Sequence, residues 1–131
     1  MNNLIIVRGL PGSGKSSLAE LICGMTSRIK CFAADDYFYR DGKYMFDRNQ
    51  LGRAHVWCKS QTAEALNSGY DVMVHNTFTT QSEINQYKKI AERVGAKFVS
   101  LIVENRHGNS SVHDVPDETV DKMRSRFVVD L

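Results

Sequence analysis

The stretch LIIVRGLPGSGKSSLAELI, Leu4 to Ile22, opens on four consecutive apolar residues, passes through three glycines, a lysine and three serines, and closes on an amphipathic run. An unbroken apolar run such as Leu4-Ile5-Ile6-Val7 reads as a strand covered on both faces, as in a parallel sheet. Lys15 to Cys23 reads as a helix with Leu18, Leu21 and Ile22 on one side and Gly24 as its stop. Between them, Gly9 to Ser16 fits G-x-x-x-x-G-K-[ST] in full, with the strand before it and the helix after it that this pattern requires.

Two uses of such a loop compete. One is a bare glycine-rich turn. The other is the Walker A cradle, in which glycines take positive φ and successive N–H groups point inward at a polyphosphate. The helix N-terminus then adds partial positive charge. On the second reading Gly9, Gly12, Ser13, Gly14, Lys15, Ser16 and Ser17 hold a nucleoside triphosphate. Lys15 reaches its terminal phosphates and the Ser16 hydroxyl joins the coordination of Mg²⁺. The expected cofactors are therefore ATP and Mg²⁺.

Working outward, a second strand is expected over Lys30 to Ala33, ending at Asp35-Asp36, and Tyr37 to Tyr44 reads as loop. A helix follows from about Asn49 to Asn67, with Leu51, Ala54, Cys58, Ala65 and Leu66 on one face. Asp71 to His75 is the third strand. Thr80 and Glu83 have the form of a capping box, opening a helix with Ile84, Tyr87, Ala91 and Val94 on one stripe. Gly95 closes it, Lys97 to Val103 is the fourth strand, and Pro116 suits the start of a last helix burying Val120, Met123 and Phe127. Strands alternating with helices imply βαβ units, hence a three-layer α/β/α sandwich on a mainly parallel sheet. Residues 1–131 read as one such domain, since no repeat, linker or low-complexity segment interrupts them.

Composition bounds the rest. The chain has 131 residues, 42% of them hydrophobic and 24% charged, with a net charge of +2. That balance suits a soluble globular domain and argues against a broad nucleic-acid-coating surface, while leaving room for a local basic site. The apolar run at the start is too short for a signal peptide or a membrane span. Three widely spaced cysteines, Cys23, Cys31 and Cys58, suggest reduced thiols in a cytoplasmic protein. Neither they nor the four histidines show zinc-ligand spacing, so no zinc and no membrane partner are expected. His55 reads as a packed or capped histidine rather than a ligand.

In parallel sheets of this kind ligands lie beyond the carboxyl ends of the strands. Asp35 and Asp36 end the second strand, and a carboxylate there can orient an acceptor hydroxyl and take its proton. Asp35 is the first choice as base, with Asp36 as runner-up, structural partner or cap. Tyr37, Phe38 and Tyr39 either stack a nucleobase or pack the loop onto the core. Asn76 and Thr77 end the third strand and either bond water, Mg²⁺ ligands or the acceptor, or satisfy a turn. The polar segment ENRHGNSSVHDVP, Glu104 to Pro116, is either an exposed connection or a lid whose Arg106 stabilises charge at transfer. Arg124 and Arg126 read as surface residues near a helix end.

The segments GLPGSGKSS (9–17), ADDYF (34–38), HNT (75–77) and SVHDVPDETVDKMRSRF (111–127) together resemble the AAA-type predicted kinases. This P-loop kinase group includes the polynucleotide 5′-hydroxyl kinase domain of a phage, and the likeness runs over nearly the whole chain. The resemblance implies ATP-dependent transfer of the γ-phosphate to a hydroxyl, with the 5′ end of DNA or RNA as leading acceptor, Lys15 and Ser16 on the nucleotide and Asp35 as base. This chain departs from the pattern in three places. Phe38 stands where the phage enzyme has an arginine, leaving Arg40 nearby to meet acceptor phosphate. His75 stands where an aspartate is usual. Ser110-Ser111 stand where relatives carry Arg-Asn, so Arg106 would serve as the lid arginine. Other acceptors (a modified base, a nucleoside, a small metabolite) and a nucleotide-binding regulatory module with little turnover are the rival readings.

Overall fold

In a computed structural model of the chain, residues 2–103 and 117–127 are described. Four strands form the main sheet: β1 (Asn3–Arg8), β2 (Ile29–Phe32), β5 (Asp71–Val74) and β6 (Lys97–Ile102). Between β2 and β5 lies a separate antiparallel ribbon, β3 (Tyr39–Arg40) and β4 (Lys43–Tyr44). The helices are α1 (Lys15–Gly24), α2 (Leu51–Asn67), α3 (Gln81–Val94) and α4 (Asp117–Arg126). The main sheet has the order β2-β5-β1-β6 and every neighbouring pair in it is parallel.

β1 is central, flanked by β5 (Ile5 opposite Met73) and by β6 (Ile5 opposite Val99). Because successive side chains point to opposite faces, its apolar run serves two layers at once. Leu4 and Ile6 join Val72 and Val74 against α2 and α3, whereas Ile5 and Val7 join Met73 against Ala19, Leu18 and Ile22 of α1. That is why the run is continuous rather than alternating, and it makes the structure a three-layer α/β/α sandwich.

The helix faces follow the expected stripes with instructive exceptions. Ile84, Tyr87 and Ala91 of α3 are buried behind a complete Thr80–Glu83 capping box. Leu21, expected on the buried side of α1, is instead 65% exposed, because the sheet-facing stripe runs through Leu18, Ala19 and Ile22. Leu51 is partly exposed at the first turn of α2, while Thr62 takes a fully buried position by returning its hydroxyl to the Cys58 carbonyl at 2.8 Å. His55 lies on the exposed face of α2 rather than packed.

Three further expectations are corrected. The segment Tyr37 to Tyr44 is not simply loop. Asp41 and Gly42 have φ of 51° and 77°, and Tyr39 pairs with Tyr44 and Arg40 with Lys43 around them. Two left-handed central residues are what a tight two-residue hairpin requires, and Asp-Gly is its sequence signature. Cys23 and Cys31 are not separate thiols: the end of α1 and the adjacent strand β2 bring their Cα atoms to 6.5 Å, and they form a disulfide, a separation within the bridging range. Cys58 is free and buried. Arg126 is not merely a surface residue of α4, since its Nε donates to the buried Thr79 hydroxyl at 2.9 Å.

Candidate active site at the carboxyl edge of the sheet

Leaving β1, the backbone turns through Gly9 to Gly14 into α1. Gly12 and Gly14 have φ of 82° and 98°, in the left-handed region that favours glycine. Gly9 is required for a different reason: a Cβ there would overlap the Ser13 hydroxyl and lie 2.9 Å from the Val103 carbonyl. The loop is pinned at its root, where the Gly9 N–H donates to the Thr77 carbonyl at 3.3 Å, and it is closed by Ser13 N–H to the Leu10 carbonyl at 3.0 Å.

The start of α1 differs from that of α3. α3 has a side-chain cap and an acid in its first turn, whereas α1 begins after Gly14 with neither. Helix geometry leaves the first N–H groups, those of Lys15, Ser16 and Ser17, without partners inside the helix. Here they stand at the positive end of the helix dipole, an arrangement that suits an anion. Ser13 supports the same fit, for its hydroxyl is buried and without a hydrogen-bond partner among the described residues.

Lys15, Ser16, Asp35 and His75 converge on this edge. Burial lowers the Lys15 pKa, and the nearby Asp35 carboxylate opposes that shift. The Ser16 hydroxyl and His75 Nδ1 are 3.1 Å apart. Burial lowers the His75 pKa and Lys15 lowers it further, against smaller opposing effects of Glu20 and Asp35. With the ring proton on Nε2, Nδ1 accepts the Ser16 O–H and leaves the oxygen lone pairs for a cation. Among the described residues no group of three or more His, Cys, Asp or Glu side chains is placed to hold a metal ion. The donor set suits Mg²⁺, which takes few protein ligands and completes its shell with phosphate and water.

The other strand-end residues divide into chemistry and scaffolding. Asp35 accepts from the Tyr44 hydroxyl at 3.2 Å. Asp36 accepts from the Ala33 N–H at 3.0 Å, capping the short turn Ala34–Phe38. Asn76 accepts from the Ala34 N–H at 2.8 Å, so its side chain ties the third main-sheet strand to the turn that carries Asp35. Thr77 contributes its carbonyl to Gly9. Arg40 is exposed on the ribbon, opposite Lys43. Arg106 lies outside the described residues.

Sequence reasoning missed Arg8. It is fully buried, donates from Nε (3.1 Å) and Nη2 (3.0 Å) to the Phe78 carbonyl, and lies 4.7 Å from the centre of the Phe127 ring. Phe78 itself has φ of 50°, a left-handed conformation uncommon for a bulky residue. The two charge-assisted bonds hold that turn beside the root of the phosphate loop. Its signal was available: a lone cation inside an apolar strand has to find acceptors. Arg8→Met is expected to lower stability by about 2–3 kcal/mol in urea unfolding; an unchanged midpoint would remove Arg8 from this role.

His75 also supplies a pH prediction. Its folded-state pKa lies below the ordinary value of 6.5. In the window below 6.5 the unfolded chain therefore binds more protons than the folded one, and stability is lost as pH falls. Urea midpoints of the nucleotide-free protein should fall on acidification below about pH 6.5, less steeply in His75→Gln. Parallel slopes for the two proteins would exclude His75 as the cause.

A family model described as an AAA domain matches residues 4–129. The chain belongs to this AAA-domain family. Among curated proteins it is 35% identical over 91 residues to human NEDD4-binding protein 2, a match that covers 69% of this chain and 5% of that protein. It is 29% identical over 106 residues to the uncharacterized protein PM0531 of Pasteurella multocida, covering 76% of this chain and 59% of that one. The AAA-domain chain thus spans only part of the curated relatives it matches. Among solved structures it is similar to a chain of the Pnkp1/Rnl/Hen1 RNA repair complex, with a TM-score of 0.66 at 17% identity over 95% of this chain and 37% of that one. It is also similar to the Mycobacterium tuberculosis APS kinase CysC in complex with AMPPNP and APS, with a TM-score of 0.62 at 16% identity, covering 92% and 67%. The expected likeness to P-loop kinases is borne out, and the fold is theirs. No helix among the described residues is long and apolar enough to cross a membrane.

Proposed function

We propose that residues 1–131 form one kinase domain that uses Mg-ATP to phosphorylate the 5′-hydroxyl end of DNA or RNA. The observation that carries the reading is the uncapped start of α1 behind the left-handed Gly12 and Gly14 at the carboxyl edge of the sheet, with Asp35 as the carboxylate that acts on the Lys15 ammonium. Lys15 and the Gly12–Ser17 backbone hold the triphosphate, Ser16 helps hold Mg²⁺, and Tyr44 orients the Asp35 carboxylate. An acceptor hydroxyl on Asp35 gives its proton to that carboxylate as its oxygen bonds to the γ-phosphorus and the bond to the β-phosphate oxygen breaks, releasing ADP. Bound Mg²⁺ supplies charge neutralisation on the phosphate oxygens. Arg106 is proposed as the lid cation, and Asp36, Arg40, Asn76 and Thr77 as the acceptor side; of these, Asp36 and Asn76 act by positioning.

The RNA-repair neighbour supports a polynucleotide acceptor, while the APS kinase neighbour shows how readily this fold serves a small one. His75 favours one further reading. An imidazole bonded to Ser16, where the kinase pattern has an acid, suits a nucleotide-binding module with little turnover. Incubation with γ-labelled ATP and 5′-hydroxyl oligonucleotides, nucleosides and small metabolites separates these. Label on oligonucleotides is the expected result. Label confined to small molecules would replace the acceptor, and tight ATP binding with no label anywhere would favour the regulatory module. The reading carries a cytoplasmic location, where ATP and Mg²⁺ are supplied.

A further inference from the structure

The ribbon beside Asp35 has features that the kinase chemistry does not use. Tyr39, Met45 and Phe46 are 48%, 61% and 49% exposed. The rings of Tyr39 and Phe46 rest on an aromatic base. Phe38 is 3% exposed, with its ring centre 5.1 Å from that of Phe46, and Tyr44 lies 5.2 Å from Tyr39 and stacks at 6.4 Å on Phe46. The Tyr44 hydroxyl, at the far end of the same ring, is the donor to Asp35. The array therefore begins at the proposed base and runs outward into solvent.

A second feature points to an anion. Arg40 and Lys43 are direct cross-strand partners. Like charges placed opposite one another destabilise a ribbon, and a two-stranded ribbon has little stability to lose. Of the acids of the segment, Asp47 is committed elsewhere, capping the following turn by accepting from the Asn49 N–H at 3.0 Å, and Asp41 sets the left-handed turn between the two cations, whose combined charge its single carboxylate does not balance. Exposed rings interleaved with exposed cations, over one short segment, match a strand of nucleic acid whose bases are unpaired.

We propose that the ribbon, with Phe46, is a sequence-tolerant stacking site for the nucleotides that follow the reacting 5′ end, its rings taking bases and Arg40 and Lys43 taking phosphate. This deepens the polynucleotide reading above, on which it rests for placing the acceptor hydroxyl at Asp35. Rings can receive only bases that are out of a duplex stack, so the site selects single strands and overhangs against blunt duplex ends and free mononucleotides. Arg40 and Lys43 then stand in, as point contacts, for the acceptor arginine that this chain lacks at Phe38.

Binding is measured by fluorescence anisotropy with a 3′-labelled, 5′-hydroxyl single-stranded oligonucleotide, in the presence of Mg²⁺ and AMPPNP. Tyr39→Ala and Phe46→Ala should each weaken binding by about tenfold or more, with Tyr39→Phe restoring it and AMPPNP affinity unchanged throughout. Arg40→Gln with Lys43→Gln should flatten the slope of log affinity against log salt by about 1.4. A blunt duplex should bind more weakly than the single strand. Should both ring variants bind like wild type, or the duplex bind as well as the single strand, the stacking site is wrong. The two readings fail separately. Transfer to oligonucleotides with ring variants unaffected overturns the stacking site alone. Ring-dependent binding with no transfer overturns the kinase alone.

Discussion

Lys15→Ala is expected to slow phosphate transfer by about 10²–10³-fold and to weaken Mg-AMPPNP binding in calorimetry. In the nucleotide-free protein the Lys15 ammonium is buried enough for its pKa to be lowered, with Asp35 as the carboxylate that opposes the shift. A partly desolvated cation interacts strongly with a polyphosphate, because little water stands between them to screen the charge. Removing it leaves the uncapped α1 N-terminus and the left-handed glycines in place. Residual, weaker nucleotide binding is therefore expected rather than none. Stability should hardly fall, since the lost side chain supports no core packing. A variant that binds and transfers like wild type would put the triphosphate somewhere else.

The second large effect is expected at Asp35. Asp35→Asn keeps the shape and an oxygen for the Tyr44 hydroxyl but cannot take a proton, so transfer should slow by about 10²–10⁴-fold while AMPPNP affinity is kept or raised. Affinity has reason to rise, because a negative charge near the phosphates has been removed. The adjacent acid is the internal control. Asp36 caps the Ala33 N–H, so Asp36→Asn should act on stability, by about 1 kcal/mol or less, and hardly on chemistry. If the neighbouring substitution alone stopped transfer, the roles of the two aspartates would be exchanged.

Much of this architecture was legible. The LIIV run announced a doubly covered strand because Leu4 and Ile6 face one helical layer and Ile5 and Val7 the other. Thr80 and Glu83 announced a helix start because a capping box is local chemistry. Leu21 was misjudged because a ten-residue helix with apolar residues at 18, 21 and 22 fits two neighbouring stripes, and only the sheet beneath it chooses. The ribbon at 39–44 was missed although Asp41-Gly42 signalled it; strands of two residues carry no periodicity to read.

The candidate site was legible only in its first part. Gly9 to Ser16 could be assigned from spacing, since positive φ at Gly12 and Gly14 and a helix starting at Lys15 are properties of one short segment. What the chain order could not reveal is who meets whom. Ser16 reaches His75 across 59 positions, Ala34 reaches Asn76 across 42, and Arg8 reaches Phe78 across 70. Those meetings depend on the strand order β2-β5-β1-β6, which brings the third main-sheet strand beside the first. Phosphate loops are built by local backbone geometry and so are written in consecutive residues. The meeting of a carboxylate, a cation and an imidazole around that loop is a consequence of packing, and the tertiary structure alone decided it.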